Sequence, residues 1–191
     1  MTVNLAKGQK LSLEKPGGGS LSVVRMGLGW RAAPRKGFFA KLFAQEIDLD
    51  ASAVLLTGSN LVEVVYFRKL VSSDGAVRHS GDNLVGGAGG DDESIVVDLR
   101  RVPQAVDRIV FTVNSFTGQT FQEVQDAFCR LVDETNGQEL ARYTLTGGGS
   151  HTAQIMAKVQ RDGTGWQLTA IGAPADGRTF KDLVPAILQH L

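Results

Sequence analysis

A mainly β fold, a sandwich of two antiparallel sheets, is what this sequence predicts, and three observations predict it. The apolar runs are short and dominated by Val, Ile and Leu, residues that pack well on a pleated surface. Glycine is abundant at 23 residues and proline scarce at 5, so turns are frequent and few positions bar strand pairing. Two tight turns, Asn136-Gly137 and Asp162-Gly163-Thr164-Gly165, sit between such runs. Turns of this kind join antiparallel neighbours, whereas parallel strands need crossovers of about a dozen residues or more.

Taken in order, strands are predicted over 21–24, 53–56, 61–67, 95–99 and 108–113, each of ordinary length. The Asn-Gly turn pairs 127–133 with 138–145, and the second turn pairs 153–161 with 166–171. Short helices are predicted near 120–126 and 180–190. Thr120 and Glu123 have capping-box spacing, and Phe121, Val124, Phe128, Leu131 and Val132 fall on one helical stripe. The hairpin competes for the same residues, so the helix is expected to end near Asp126. In the last segment Phe180, Leu183, Val184, Ile187, Leu188 and Leu191 recur at helical spacing behind Thr179, a suitable N-cap. Pro185 lacks an N–H, which predicts a short turn and then a helix restarting with Pro185 near its first position.

The length of 191 residues fits one domain spanning 1–191 with a sizeable core. Lys plus Arg equals Asp plus Glu at 20 each, so no net field draws in nucleic acid or an anionic membrane. A single cysteine, Cys129, excludes an internal disulfide framework. The start Met1-Thr2-Val3-Asn4-Leu5-Ala6-Lys7 lacks the apolar core of a secretion signal, so a cytoplasmic location is expected. No apolar run approaches the roughly 18 residues of a membrane span, leaving membrane contact at most peripheral.

The chemistry concentrates in Gly81-Asp82-Asn83-Leu84-Val85-Gly86-Gly87-Ala88-Gly89-Gly90-Asp91-Asp92-Glu93, where four acidic side chains flank a glycine-rich backbone. Carboxylates within about 4 Å of one another repel by about 4 kcal/mol per pair at an effective dielectric near 20, and a cation relieves this. Glycine lets the chain curl until oxygens converge. Oxygen donors, with only His79 as a nearby nitrogen, select a hard ion, calcium first and magnesium second. A second cluster, Asp48-Leu49-Asp50-Ala51-Ser52, presents Asp48, Asp50 and Ser52 on one face if extended. It is not an EF-hand, since Ala53 and Ser59 stand where glycine and glutamate are required. Together Asp48, Asp50, Asp82, Asp91, Asp92 and Glu93 supply six carboxylates, enough for one ion or two.

Enzymatic readings are weaker, and none is expected. Adjacent acids point in different directions, Gly86 to Gly90 lacks a following Lys-Ser or Lys-Thr for a phosphate, and Cys129 lies in an apolar run as a core thiol. The segment 31–45 carries Arg31, Arg35, Lys36, Lys41, Phe38, Phe39 and Phe43 with no acid. It reads as a long loop. The alternative function rests on it: a peripheral membrane or protein adaptor acting through this loop, with a vestigial metal site.

Gly27-Leu28-Gly29-Trp30, Asp48-Leu49-Asp50-Ala51-Ser52, Ser73-Asp74-Gly75, His79-Ser80-Gly81-Asp82-Asn83-Leu84 and Gly90-Asp91-Asp92-Glu93 resemble the motifs of the TerD-domain family of bacterial tellurite-resistance and stress proteins. Asn114-Ser115-Phe116-Thr117-Gly118-Gln119-Thr120-Phe121 is most similar to its TerZ-like branch. The resemblance implies a calcium-binding β-sandwich without enzymatic activity, cytoplasmic and near the inner face of the membrane, with other Ter-family proteins and a membrane-bound Ter complex as partners. It carries calcium ligation over to Asp48, Asp50, Asp82, Asp91, Asp92 and Glu93, with oxygen from Asn83 and Leu84. The chain departs where relatives place two more acids, since Val85-Gly86-Gly87-Ala88-Gly89 has none, which implies weaker binding or one ion instead of two. Arg31 also stands where an aspartate often follows the tryptophan.

Overall fold

The computed structural model describes residues 2–15, 18–32, 47–84, 87, 90–145 and 149–191. The aromatic and lysine residues of the 31–45 segment, and Val85, Gly86, Ala88 and Gly89, lie outside these. The strands are β1 (Val3–Asn4), β2 (Lys10–Ser12), β3 (Val23–Ala32), β4 (Leu49–Thr57), β5 (Asn60–Val65), β6 (Val77–His79), β7 (Glu93–Asp98), β8 (Arg108–Ser115), β9 (Val124–Asp133), β10 (Gln138–Thr144), β11 (Ala153–Asp162) and β12 (Gly165–Ala175), followed by α1 (Phe180–Leu188). They form two six-stranded sheets, in the orders β1-β10-β9-β3-β7-β6 and β2-β12-β11-β8-β4-β5. Among the described residues, only the short β1–β10 pairing is parallel.

The two hairpins join β9 to β10 and β11 to β12 as expected, with Asp133 opposite Gln138 and Asp162 opposite Gly165. Strands β1, β2 and β6 were not predicted; at two or three residues they are too short to show a period.

The helix expected near 120–126 does not form. Glu123 accepts the Thr120 N–H at 2.9 Å and donates its own N–H to the Thr120 carbonyl, closing one turn only. Val124 then opens β9, opposite Ala32 of β3. Pairing with β3 satisfies the backbone while burying Val124, Ala127 and Cys129, which outweighs the helical stripe. At the C-terminus the restart at Pro185 is also absent: α1 runs unbroken through Pro185. Thr179 is the N-cap, and Asp182 accepts the N–H groups of Arg178 and Thr179, both at 3.0 Å. Pro185 lies on the exposed side, so its missing bond is outweighed by burial of Leu183 and Ile187 opposite it.

The main core lies between the sheets, where Met26, Leu28, Trp30 and Ile95 of one meet Leu55, Ile109, Phe111 and Leu168 of the other. A second core covers the outer face of the second sheet, with Val54, Val110, Ile155 and Ile171 under Leu183 and Ile187 of α1. Strand β4 is therefore buried on both faces, which explains its continuous apolar run. Truncating Ile187 to Ala is expected to lower stability by about 3 kcal/mol in urea unfolding, because the second core has little else to close over the gap.

Candidate metal centre

The site is built where β4, among the described residues, lacks a neighbouring strand. On one side β8 pairs with it from Leu49 onward, but on the other β5 begins only at Ala53. Backbone groups of the first half of β4 must be satisfied another way. Glu93, the first residue of β7 and 1% exposed, accepts the Ala51 N–H at 2.8 Å. His79, the last residue of β6, places Nε2 3.2 Å from the Ala51 carbonyl, and its Nδ1 accepts the Gly81 N–H at 3.0 Å. The ring hydrogen therefore sits on Nε2, which also lies 3.4 Å from the Glu93 carboxylate. With both nitrogens engaged, His79 braces the strand instead of offering a ligand atom.

Alternation along β4 sends Leu49 and Ala51 into the core between the sheets and Asp48 and Asp50 to the other face. Asp82, exposed at the start of the loop, meets them there. One oxygen each from Asp48, Asp50 and Asp82 lies within 4.8 Å of the other two. Asp48 Oδ1 is buried and has no hydrogen-bond partner among the described residues. Asp50, only 3% exposed, accepts a hydrogen bond at 3.1 Å from Asn114, its opposite residue on β8. Burial raises the carboxyl of Asp48 to about 6, helped by the charges of Asp82 and Glu93. Burial likewise raises Asp50 to about 8, with Glu93, Asp48 and Asp82 adding to it and the Asn114 bond opposing it.

The other predicted residues hold the loop in place. Glu93 also accepts the Asn83 N–H at 3.2 Å, tying the loop to β4. Asp92 accepts the N–H groups of Trp30 at 2.9 Å and Gly87 at 3.1 Å, while its carbonyl accepts the Asn83 amide at 3.2 Å. Leu84 follows with an exposed side chain. Asp91 is turned away from the trio: it pairs with Arg25 and, at 2.6 Å, with Arg130, which in turn holds Glu139 at 3.1 Å. Gly27 makes this possible, since a Cβ there would lie 2.2 Å from the Asp91 carboxylate. Sequence reading missed Asn114 and the bracing role of His79. The one available signal for Asn114 was an amide within an apolar strand, and its opposition to Asp50 follows only from strand register.

Elsewhere, burial pushes the Cys129 thiol up to about 12, which makes it inert near neutral pH. Among the described residues, no helix is long and apolar enough to cross a membrane.

Known proteins resemble this chain in sequence and shape. The family model described as the TerD domain matches residues 1–185. The chain is 47% identical over 184 residues to the tellurium resistance protein TerZ of Serratia marcescens, covering 95% of this chain and 94% of that protein. It is 37% identical over 196 residues to the stress response protein SCP2 of Bacillus subtilis, covering 96% and 98% respectively. A solved structure of a homologue of telluride resistance protein (TerD) from Streptomyces coelicolor superposes with a TM-score of 0.71 over 86% of this chain and 96% of that chain, at 21% identity, a likeness of fold.

Two outcomes are expected from this geometry. A carboxyl raised to about 8 in the folded chain, against 3.8 as its ordinary value, binds more protons folded than unfolded. Metal-free protein should therefore gain thermal stability as pH falls from about 9 to about 7, and Asp50→Asn should flatten that slope. Gly27→Ala should displace Asp91 from Arg25 and Arg130 and cost about 3 kcal/mol in urea unfolding. The loss should be much smaller in an Asp91→Ala background, since the displaced group is already gone.

Proposed function

The chain belongs to the TerD-domain family, and from that premise we propose that it is a calcium-binding, non-enzymatic stress-response protein associated with tellurite resistance. One ion joins the 81–93 loop to the start of β4 and shapes a surface for a partner. The observation that carries this reading is the trio of Asp48, Asp50 and Asp82, within which a buried Asp48 oxygen has no donor among the described residues. Buried carboxylates held together without donors are costly, and a cation answers both the repulsion and the missing bond. Calcium accepts oxygens at about 2.4 Å in flexible geometry, so ligands on opposite sides stand about 4.8 Å apart; magnesium, at about 2.1 Å, asks for a tighter octahedron.

Asn83 and Leu84, next to Asp82, complete the shell with carbonyl or side-chain oxygen. Asp92 and Glu93 fix the loop, and Asp91 anchors β3 to β9; their commitments to protein donors support one ion in preference to two. The names of the relatives, resistance and stress proteins, support a non-enzymatic role. We further propose a cytoplasmic protein whose partners are other Ter-family proteins and a membrane-bound Ter complex. The exposed Leu84, beside the ion, would form part of the surface that calcium orders.

Calorimetric titration tests the reading. One calcium per chain is expected, with magnesium weaker, and Asp48→Asn and Asp50→Asn should each abolish binding. Calcium at about 100 times its dissociation constant should stabilise by about 2.7 kcal/mol and raise the melting temperature by about 5–10 °C. No heat of binding and identical melting curves in calcium and chelator would sink the proposal.

A further inference from the structure

Beside the carboxylate trio the second sheet carries a cleft of about 240 Å³, and Asp50 and Asn114 form part of its lining. One wall is aromatic. Tyr66 packs against Phe180 with 4.9 Å between ring centres and meets Phe67 edge-on at 5.5 Å, and Phe67 in turn meets Phe116 at 6.0 Å. The rim is cationic, with Arg68, Arg178 and Lys181 all exposed and none paired to a carboxylate among the described residues. Arg68 lies 5.2 Å from the centre of the Phe67 ring.

Arg178 is held ready. Its N–H is taken by Asp182 at 3.0 Å and its carbonyl accepts the Asn114 amide at 2.6 Å. Its guanidinium lies over Gly118, where a Cβ would come within 3.1 Å. Thr179, the N-cap of α1, and Phe180 and Lys181 of its first turn face the same cleft. Aromatic faces for a planar ring, next to three cations and a helix start, make a two-part recognition surface. The volume falls below the range of about 300–1,000 Å³ usual for larger ligands, so a mononucleotide, one base and one phosphate, suits it better than a dinucleotide.

We propose that this cleft binds a nucleoside monophosphate, its base against Tyr66 and Phe180 and its phosphate among Arg68, Arg178 and Lys181. Because Asp50 belongs both to the cleft and to the trio, a calcium ion at the trio removes negative charge facing the phosphate, and the two ligands reinforce each other. This coupling, unlike the cleft itself, rests on the calcium reading. By linkage, each ligand must tighten the other by the same factor.

The test is calorimetric titration of the full chain with AMP, adenosine and inorganic phosphate, each in calcium and in chelator. AMP is expected to bind, with adenosine and phosphate each weaker by on the order of tenfold or more, and calcium should tighten AMP by on the order of tenfold. The double variant Arg68→Gln, Lys181→Gln removes two exposed cations and should weaken AMP by on the order of tenfold with an unchanged melting curve. Tyr66→Ala should also weaken AMP, since base stacking on an aromatic ring contributes to such sites. Absence of AMP binding in both conditions, or full-strength binding by the double variant, would overturn the proposal. AMP binding that is equal in calcium and chelator and lost in the double variant would support the cleft and overturn the coupling. Calcium titration without nucleotide reports on the trio separately, so either idea can fail without hiding the other.

Discussion

Among the described residues, strand β4 enters the second sheet with a neighbouring strand on one side only, and the backbone of Ala51 finds its missing partners in side chains of the opposite sheet. Glu93 takes the N–H and His79 the carbonyl. A buried backbone pair left unsatisfied would cost several kcal/mol, so these two residues are fixed by the same demand that fixes the strand. Their strands, β6 and β7, are thereby drawn against the mouth of β4, and the loop between them is delivered to the carboxylates of Asp48 and Asp50. The acidic site is a consequence of how one sheet edge is closed.

The loop is tied by three different means. Glu93 binds it to β4, Asp92 binds it to the N–H of Trp30 on β3, and Asp91 reaches past Gly27 to a pair of arginines on β3 and β9. Each carboxylate that serves as a tie is supplied with donors. The trio is not: among the described residues Asp48 has a buried oxygen without a donor, and Asp50 has one amide bond for a nearly buried charge. Acids of the two sequence clusters thus have opposite electrostatic situations, and the difference separates anchors from candidate ligands.

The same edge shapes the cleft beside the trio. Because β5 pairs with β4 only from Ala53 onward, the residues after β5 turn away as Tyr66 and Phe67 and stand against the first turn of α1. The helix is in place because Leu183 and Ile187 close the second core, and its capping carboxylate fixes Arg178 over Gly118. Packing on the outer face of the sheet therefore sets the shape and charge of a surface beside the acidic centre.

Much of this was legible in the sequence. Val, Ile and Leu runs with glycine turns specified a sandwich, Asn136-Gly137 and Asp162-Gly163 specified their hairpins, and the acids at 48–50 and 82–93 marked where carboxylates concentrate, because period, turn chemistry and charge density are local properties. The segment 120–126 shows where local reading stops: Thr120 and Glu123 do form their turn, but pairing of Val124 with Ala32, remote in the chain, decides that a strand follows. Pro185 is the mirror case, a local breaker overruled by the burial of Leu183 and Ile187. The sequence by itself determined the class of fold and the chemistry of the acidic motifs. Only the tertiary structure decided that Asp48, Asp50 and Asp82 converge while Asp91 does not, because convergence depends on strand register, on the space left at Gly27 and on the two arginines that claim Asp91, none of which is encoded within the motif.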